Sequence, residues 1–444
     1  MKLISSILSS FLALGALCAA SSSSGSKVLV VLEPALSKAD YFTFFSDLEE
    51  RGYQLTFRGP KDDKPLLVEY DVPNYDHVII FAPTTKSFSA DLAPQSLLQQ
   101  LPKKVNLLIA LSTTGTPMHP FASEFGLILP PPETPLFSHF PPRKGPLTTL
   151  EVPLPVDSSV ITSGPRTSPI LYSGINFGLS TNPMLFSLVS APPESFATDT
   201  TKDDESEILM EASNKGGEGL WAGSAMSVVA GFQTKSGARV VWTGGVEMFS
   251  DKFTSGKLHN GDKAGNRGVT RDISKWAFQE SNVLRVDEVS HHLVGETEPK
   301  EMYTTNDNLV YTMSISRFVP ATSSWEPYSH VKDLQLEFTM LDPHVRTALE
   351  PVPGKPGKYE VEFRAPDRHG VFKFVVDHRR RGWSTLFSET TVPVVPPRHD
   401  GYPRFLSAAW PYYIGAISTS VGFVLFSALY LGGAANDKTK KKKQ

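Results

Sequence analysis

The sequence predicts an open α/β sheet, then an all-β sandwich of immunoglobulin-like type, then one transmembrane helix near the C-terminus. Three observations predict it. Apolar, β-branched runs and helical stripes share the stretch from Lys27 to Leu111, the rhythm of a mainly parallel sheet buried on both faces. After Asn282 the chain breaks into short strands separated by turn residues. Trp410 to Leu431 carries no charge, and none stands between Arg404 and Asp437.

The first twenty residues read as a secretory signal peptide. Lys2 precedes the apolar run Leu3 to Leu17, and the small residues Cys18, Ala19 and Ala20 place cleavage near Ala20. A lipoprotein signal ending at Cys18 is the competing reading, but Leu17 is large for the position before such a cysteine. Ser21 to Ser26 is a flexible leader. KVLVVLE from Lys27 is a buried strand. Ser37 caps a helix through Arg51, with Tyr41, Phe44, Phe45 and Leu48 on one stripe and Gly52 as its left-handed stop. Strands follow at Tyr53 to Phe57, His77 to Ala82 and Val105 to Leu111, with a short helix around Ser96 to Gln100.

From Leu129 to Ser168 prolines, serines and threonines predict edge strands and loops, because proline lacks the donor a central strand needs. Thr198 to Glu207 is a mobile acidic loop. Ala225 to Thr234 and Ala238 to Thr243 pair across Lys235-Ser236-Gly237, and Arg271 to Phe278 forms a closing helix. The β region comprises Val283 to Ser290, Leu309 to Ser316, Val331 to Met340, Tyr359 to Ala365, Val371 to His378 and Thr390 to Val395. Tyr359, Val361 and Phe363 alternate with Glu360, Glu362 and Arg364, giving one core face and one wet face. Pro353 to Gly357 is a turn, and Pro393, Pro396 and Pro397 form a stiff connector.

A helix needs about 20 apolar residues to cross roughly 30 Å of hydrocarbon, so Trp410 to Leu431 suffices. A buried core helix is the alternative, and the basic tail after it argues against that. Trp410, Tyr412 and Tyr413 suit the membrane interface, and the lysines beyond the other end give a type I orientation. Gly415, Ser418, Ser420 and Gly422 predict a face that packs on a partner helix. The expected divisions are a signal peptide over 1–20, a lumenal α/β domain with β-rich insertions over 27–280, a β-sandwich over 283–397, a span over 409–432 and a cytosolic lysine-rich tail over 433–444.

Composition narrows the chemistry. Cys18 is the only cysteine and falls in the expected signal, so thiol catalysis, zinc–thiolate sites and disulfides are excluded for the mature chain. The net charge of −3 gives no case for nucleic acid, and no Asn opens an N-glycan acceptor sequence. The turn after the first strand, Leu32-Glu33-Pro34-Ala35, is not a phosphate loop. Ser112-Thr113-Thr114-Gly115 lacks the nucleophile elbow of a hydrolase and reads as a polar loop. Thr243-Gly244-Gly245 reads as a tight turn rather than an oxyanion hole. His291 and His292 are adjacent on a strand and so point to opposite faces, against a shared metal. Asp203-Asp204-Glu205 lacks the alternation of a calcium loop. Arg379, Arg380 and Arg381 beside Trp383 form a solvated turn, with lipid headgroups, a diphosphate or an acidic partner as candidate contacts. No catalytic, cofactor or metal site is expected.

VVWTGGVEMFSD (Val240 to Asp251), APDRHGVFKFVVDHRRRGWSTL (Ala365 to Leu386) and YPRFLSAAWPYY (Tyr402 to Tyr413) closely resemble the 48 kDa, wheat-germ-agglutinin-binding-protein subunit family of the oligosaccharyltransferase complex. The order of parts is similar over nearly the whole chain. The resemblance implies a non-catalytic subunit of the endoplasmic-reticulum complex that moves a preassembled glycan from dolichyl diphosphate to Asn of N-x-[ST] sequons. It implies other subunits as partners: a multi-span catalytic subunit, which carries the metal, with ribophorin-type and small membrane subunits. Contact with dolichol-linked oligosaccharide or nascent polypeptide stays open. It also implies a glutamine-amidotransferase-like α/β fold without its nucleophile. Lys441 and Lys442 resemble a dilysine retrieval signal, compatible with ordinary positive-inside charge. Two further classes are carried beside this one: an independent α/β hydrolase or transferase, and a lumenal glycan-binding receptor motivated by Trp221 and Trp383.

Overall fold

A computed structural model of the chain describes residues 22–141, 145–162, 168–197, 221–401 and 406–440. The signal region, the loop from Thr198 to Glu207, Tyr402 to Arg404, and Lys441 and Lys442 lie outside the described residues.

A seven-stranded mixed sheet organises the first part. Its strands are β1 (Lys27–Leu32), β2 (Gln54–Arg58), β3 (His77–Phe81), β4 (Asn106–Ala110), β5 (Leu185–Ser190), β6 (Ser227–Gln233) and β7 (Arg239–Thr243). They lie in the order β5-β6-β7-β4-β3-β1-β2. The run from β7 to β2 is parallel throughout, and β5 and β6 add antiparallel pairs at one side. Successive residues feed opposite cores, which is why the middles of the central strands are apolar at every position, with His77, Asn106 and Arg239 only at their first residues. Val28, Val30, Ile79, Phe81, Leu108 and Val241 face one core. Leu29, Val31, Val78, Ile80, Leu107 and Trp242 face the other.

Helices α1 (Phe42–Glu50) and α4 (Asn266–Ala277) cover the first face through Phe44, Phe45, Leu48, Ile273 and Trp276. Helices α2 (Pro94–Gln100) and α3 (Met118–Glu124) cover the second through Leu97, Met118 and Phe121. The helix expected from Ser37 begins instead with one 3-10 turn, Lys38–Tyr41, capped by Ser37. Gly52 is left-handed at φ +89, as its role as a stop requires. The expected closing helix starts five residues early, at Asn266. The Asn266 amide bonds both backbone groups of Leu171 at 2.8 Å and the Met248 carbonyl at 3.1 Å, anchoring the first turn inside the core. Buried Arg51 joins α1 to α4, reaching Glu280 at 2.6 Å and Ser274 Oγ at 2.8 Å.

The β-rich part contains two five-stranded sheets. One holds β8 (Leu284–Leu293), β9 (Asn308–Val319) and β12 (Lys358–Arg364), with short strands Ser324–Pro327 and Glu350–Pro351. The other holds β10 (Gln335–Thr339), β11 (Pro343–Ala348), β13 (Gly370–His378) and β14 (Leu386–Val395), with Tyr303–Thr304 at its edge. Both sheets contribute to one core, with Tyr311, Met313 and Tyr359 from one and Phe338, Phe374 and Val392 from the other. Glu360, Glu362 and Arg364 are exposed, as the alternation predicts. Pro393 is not part of a connector. It lies inside β14 opposite Val371, so the free segment begins only after Val395. The 3-10 turn Ser407–Ala409 and helix α5 (Trp410–Lys440) together hold the apolar stretch Ser407–Gly433, which is not buried against the rest of the chain.

Candidate functional site

In an open parallel sheet the strand order reverses at one point, and the crevice outside the carboxyl ends there is where ligands bind. Here β1 connects to β2 on one side and is paired with β3 on the other. A cleft of about 770 Å³ opens at that place, lined by Leu36 and Tyr41 after β1, Pro83 and Thr84 after β3, and Ser112 to Thr114 after β4. Ser173, Gly174 and the segment Gly245–Glu247 close the far wall, with Ser250 to Lys252 beside them.

Ser112, which lines this cleft, and His119 and Glu33, which bond residues of its lining, are committed to structure. Ser112 Oγ donates to the Pro83 carbonyl. His119, from α3, donates from Nε2 to the Ser112 carbonyl at 3.0 Å, and its Nδ1 accepts from Thr116 N at 3.2 Å. Nδ1 as acceptor and Nε2 as donor match a neutral imidazole, and burial lowers its pKa against the opposing effect of the backbone hydrogen bonds. No serine–imidazole hydrogen bond therefore forms. The Glu33 carboxylate, at the end of β1, accepts from Thr84 N at 3.0 Å and from Thr84 Oγ1. Asp251 Oδ1 accepts from Thr43 N at 3.0 Å, satisfying an open donor in the first turn of α1. Tyr41 is pushed up to about 12 by burial, then by the nearby charges of Glu247 and Asp40. The rim thus carries Asp40, Glu247 and Asp251 against Lys252, an environment poor for anions.

Gly244 and Gly245 have a packing reason rather than a catalytic one. A Cβ on Gly244 would stand 2.0 Å from the Ile175 carbonyl oxygen, and one on Gly245 would stand 1.9 Å from that of Ser173. The Gly244 N–H already donates to Val228 O at 3.0 Å. Two chain segments cross here at backbone distance, so the tight turn is what the motif builds.

The other sequence candidates are dispersed. His291 Nδ1 bonds Tyr303 Oη at 2.7 Å and its ring stacks on Phe374, while His292 Nδ1 lies 2.9 Å from the Leu293 carbonyl. Among the described residues, no cluster of three or more His, Cys, Asp or Glu could hold a metal. Asp203 to Glu205 lies outside the described residues. Trp221 is half-buried, its carbonyl taken by Ala197 N at 2.8 Å. Arg379 pairs with Asp377 at 2.8 Å, and Arg380 and Arg381 are exposed. Trp410 and Tyr412 are exposed, and Ser418 Oγ donates to the Gly415 carbonyl at 2.9 Å.

The stretch Arg381 to Ser384 is not simply a solvated turn. It is where the β-rich part meets the first sheet. Trp276 Nε1, from α4, donates to the Gly382 carbonyl at 2.9 Å. Fully buried Arg239 donates from Nη1 to the Trp276 and Ser281 carbonyls, both at 2.8 Å. Its Nη2 donates to Asn282 O at 2.9 Å and Ser384 Oγ at 3.2 Å. Carbonyls at and beyond the negative end of α4 take up both Nη groups, while the buried Nε has no partner among the described residues. Burial depresses the pKa to about 9. Sequence reasoning missed Arg239. Its signal was a single cation inside the apolar run AlaArgValValTrp.

The family models for the OST48 N-terminal domain and the OST48 middle domain match residues 19–280 and 291–434. Three relatives are each described as a dolichyl-diphosphooligosaccharide–protein glycosyltransferase 48 kDa subunit. That of Danio rerio is 30% identical, covering 93% of this chain and 93% of its own. That of Caenorhabditis elegans is 33% identical, covering 94% and 95%. That of Arabidopsis thaliana is 30% identical, covering 91% and 92%. A solved ThuA-like protein from Parabacteroides merdae aligns at 10% identity over 57% of this chain and 89% of its own, with a TM-score of 0.31, too low to bear on the fold.

Proposed function

The chain belongs to the OST48 family, and from that premise we propose that it is a non-catalytic subunit of the dolichyl-diphosphooligosaccharide–protein glycosyltransferase complex, acting in N-glycosylation at the endoplasmic-reticulum membrane. The observation that carries the non-catalytic part is the cleft at the strand-order reversal. Ser112 lines it and donates to a backbone carbonyl, and both ring nitrogens of the adjoining His119 are spent on backbone partners, so nucleophile and base are not poised for each other.

In this reading α5 crosses the bilayer once. Trp410, Tyr412 and Tyr413 sit at the lumenal interface, and the bulk of the chain is lumenal. Gly415, Ser418 and Gly422 give the face that meets a partner helix. Nothing lies within 4 Å of a Cβ placed on either glycine, which leaves room for that approach. Lys441 and Lys442 serve as the retrieval signal. The partners are the multi-span catalytic subunit with ribophorin-type and small membrane subunits, and Arg380 and Arg381 remain available for a headgroup or a neighbour. The strand order supports a glutamine-amidotransferase-like sheet over 27–280, and the shared core of two β-sheets supports an immunoglobulin-like sandwich over 283–397.

The test is reconstitution. Full-length chain in lipid nanodiscs, given dolichyl-diphosphate-linked glycan and an Asn-x-Thr peptide, transfers nothing alone. Membranes depleted of the chain lose transfer and regain it when the chain is restored. Turnover by the isolated chain would overturn the reading.

A further inference from the structure

A second cleft, of about 570 Å³, lies on the opposite side of the molecule's first sheet, at the amino ends of the parallel strands where the β-rich part docks. Lys103 and Lys104 precede β4, Lys235 lies in the turn between β6 and β7, and Arg285 comes from β8 on the facing wall. Four cations thus line it, with one carboxylate, Asp76. Asp76 is itself engaged by the Lys27 N–H at 3.0 Å. Lys103 is neutralised by Asp71 at 2.6 Å and Arg285 by Asp287 at 2.8 Å. Lys104 and Lys235 have no carboxylate partner among the described residues, so the cleft keeps an excess of positive charge. Its apolar component is Trp325, under the Arg285 guanidinium at 4.2 Å, and Phe387, 54% exposed.

We propose that this interdomain cleft binds an extended acidic polypeptide segment of a partner protein. Two observations favour a peptide over a compact polyphosphate. The cations are separate side chains on three segments, and the Arg285 guanidinium already holds Asp287 with Nε and Nη2, so no free fork faces the cleft there. And β8 is the outermost strand of its sheet, with its first residues lining the cleft, so an edge is present along which an extended chain can add. The cleft is preformed, because Arg239 and Trp276 fix the two parts against each other. The site does not depend on the family's reaction, so its failure would leave the subunit role untouched.

The experiment uses full-length chain in phosphatidylcholine nanodiscs and a fluorescein-labelled (Glu-Glu-Phe)3 nonapeptide, read by anisotropy. Saturable binding is expected, weakening at least tenfold between 50 and 500 mM NaCl. K104E/K235E is expected to weaken it at least tenfold. The equally charged K61E/K355E, at exposed lysines outside the cleft, is expected to change it less than twofold. Both pairs are exposed, so equal melting temperatures certify folding. Absence of saturable binding, or equal loss in the two double variants, overturns the proposal. Displacement of the peptide by micromolar inorganic pyrophosphate also overturns it, in favour of a phosphate ligand.

Discussion

His77 shows how burial decides a residue's protonation. Its Nε2 lies 3.1 Å from the Gly25 carbonyl, its Nδ1 lies 3.1 Å from Asn106 Nδ2, and its ring stacks on Phe278 at 4.4 Å. Donor on one side and acceptor on the other require the neutral ring, and burial pushes its pKa down to about 3 from 6.5. Between those values the unfolded chain binds a proton the folded chain refuses. Stability therefore falls as pH drops through that window, by at most about 1.4 kcal/mol per unit from this group. Urea unfolding of the full chain in mild detergent, followed between pH 6.5 and 4, should lose one proton's share of its slope in His77→Phe. An unchanged slope would show that the imidazole is already solvated. Gly382 makes a second residue-scale case. At φ +80 a side chain is strained, and a Cβ would stand 2.4 Å from Ser159 Oγ. Gly382→Ala should destabilise by about 1–3 kcal/mol, and Ser159→Gly should recover only some of the contact cost, because Val160 Cγ2 would still stand 2.9 Å from the new Cβ, and none of the backbone cost.

At the scale of elements, the strands and α1 were legible because each repeats one chemistry over several residues. Tyr41, Phe44, Phe45 and Leu48 are all buried, as their spacing predicts. What was illegible depended on distant partners. Nothing near Asn266 reveals that its amide will close on Leu171, ninety-five residues earlier. Strand β11 was missed because five of its residues are polar, proline or alanine and its side chains are largely exposed. Pro393 was misplaced because a proline facing the edge of a pair is compatible with a strand. The cleft was legible only as loops at strand ends, since Glu247 and Asp251 reach it from a segment far along the chain. Helix α5 carries its own prediction. Ser418 and Thr419 return their hydroxyls to the Gly415 carbonyl, so the polar groups on this face are satisfied within the helix. Leucine at Gly415 and Gly422 should leave insertion intact and reduce recovery of partner subunits after mild extraction severalfold. Unchanged recovery would remove this face from the interface.

For the whole molecule, two of the three stretches that resemble the family, Val240 to Asp251 and Ala365 to Leu386, turn out to contain joints. Gly244 and Gly245 let two segments cross, and Gly382 and Ser384 receive Trp276 and Arg239. A chain built in this way offers rigid surfaces to neighbours, and its reactive-looking groups hold its own backbone. The measurement that tests this most directly is the glycan-transfer rate of the assembled complex carrying Ser112→Ala together with His119→Gln. With the complex recovered intact, the rate should stay within about twofold of the unaltered complex. A hundredfold loss, equivalent to about 2.7 kcal/mol of transition-state stabilisation, would place chemistry in this chain and contradict the account.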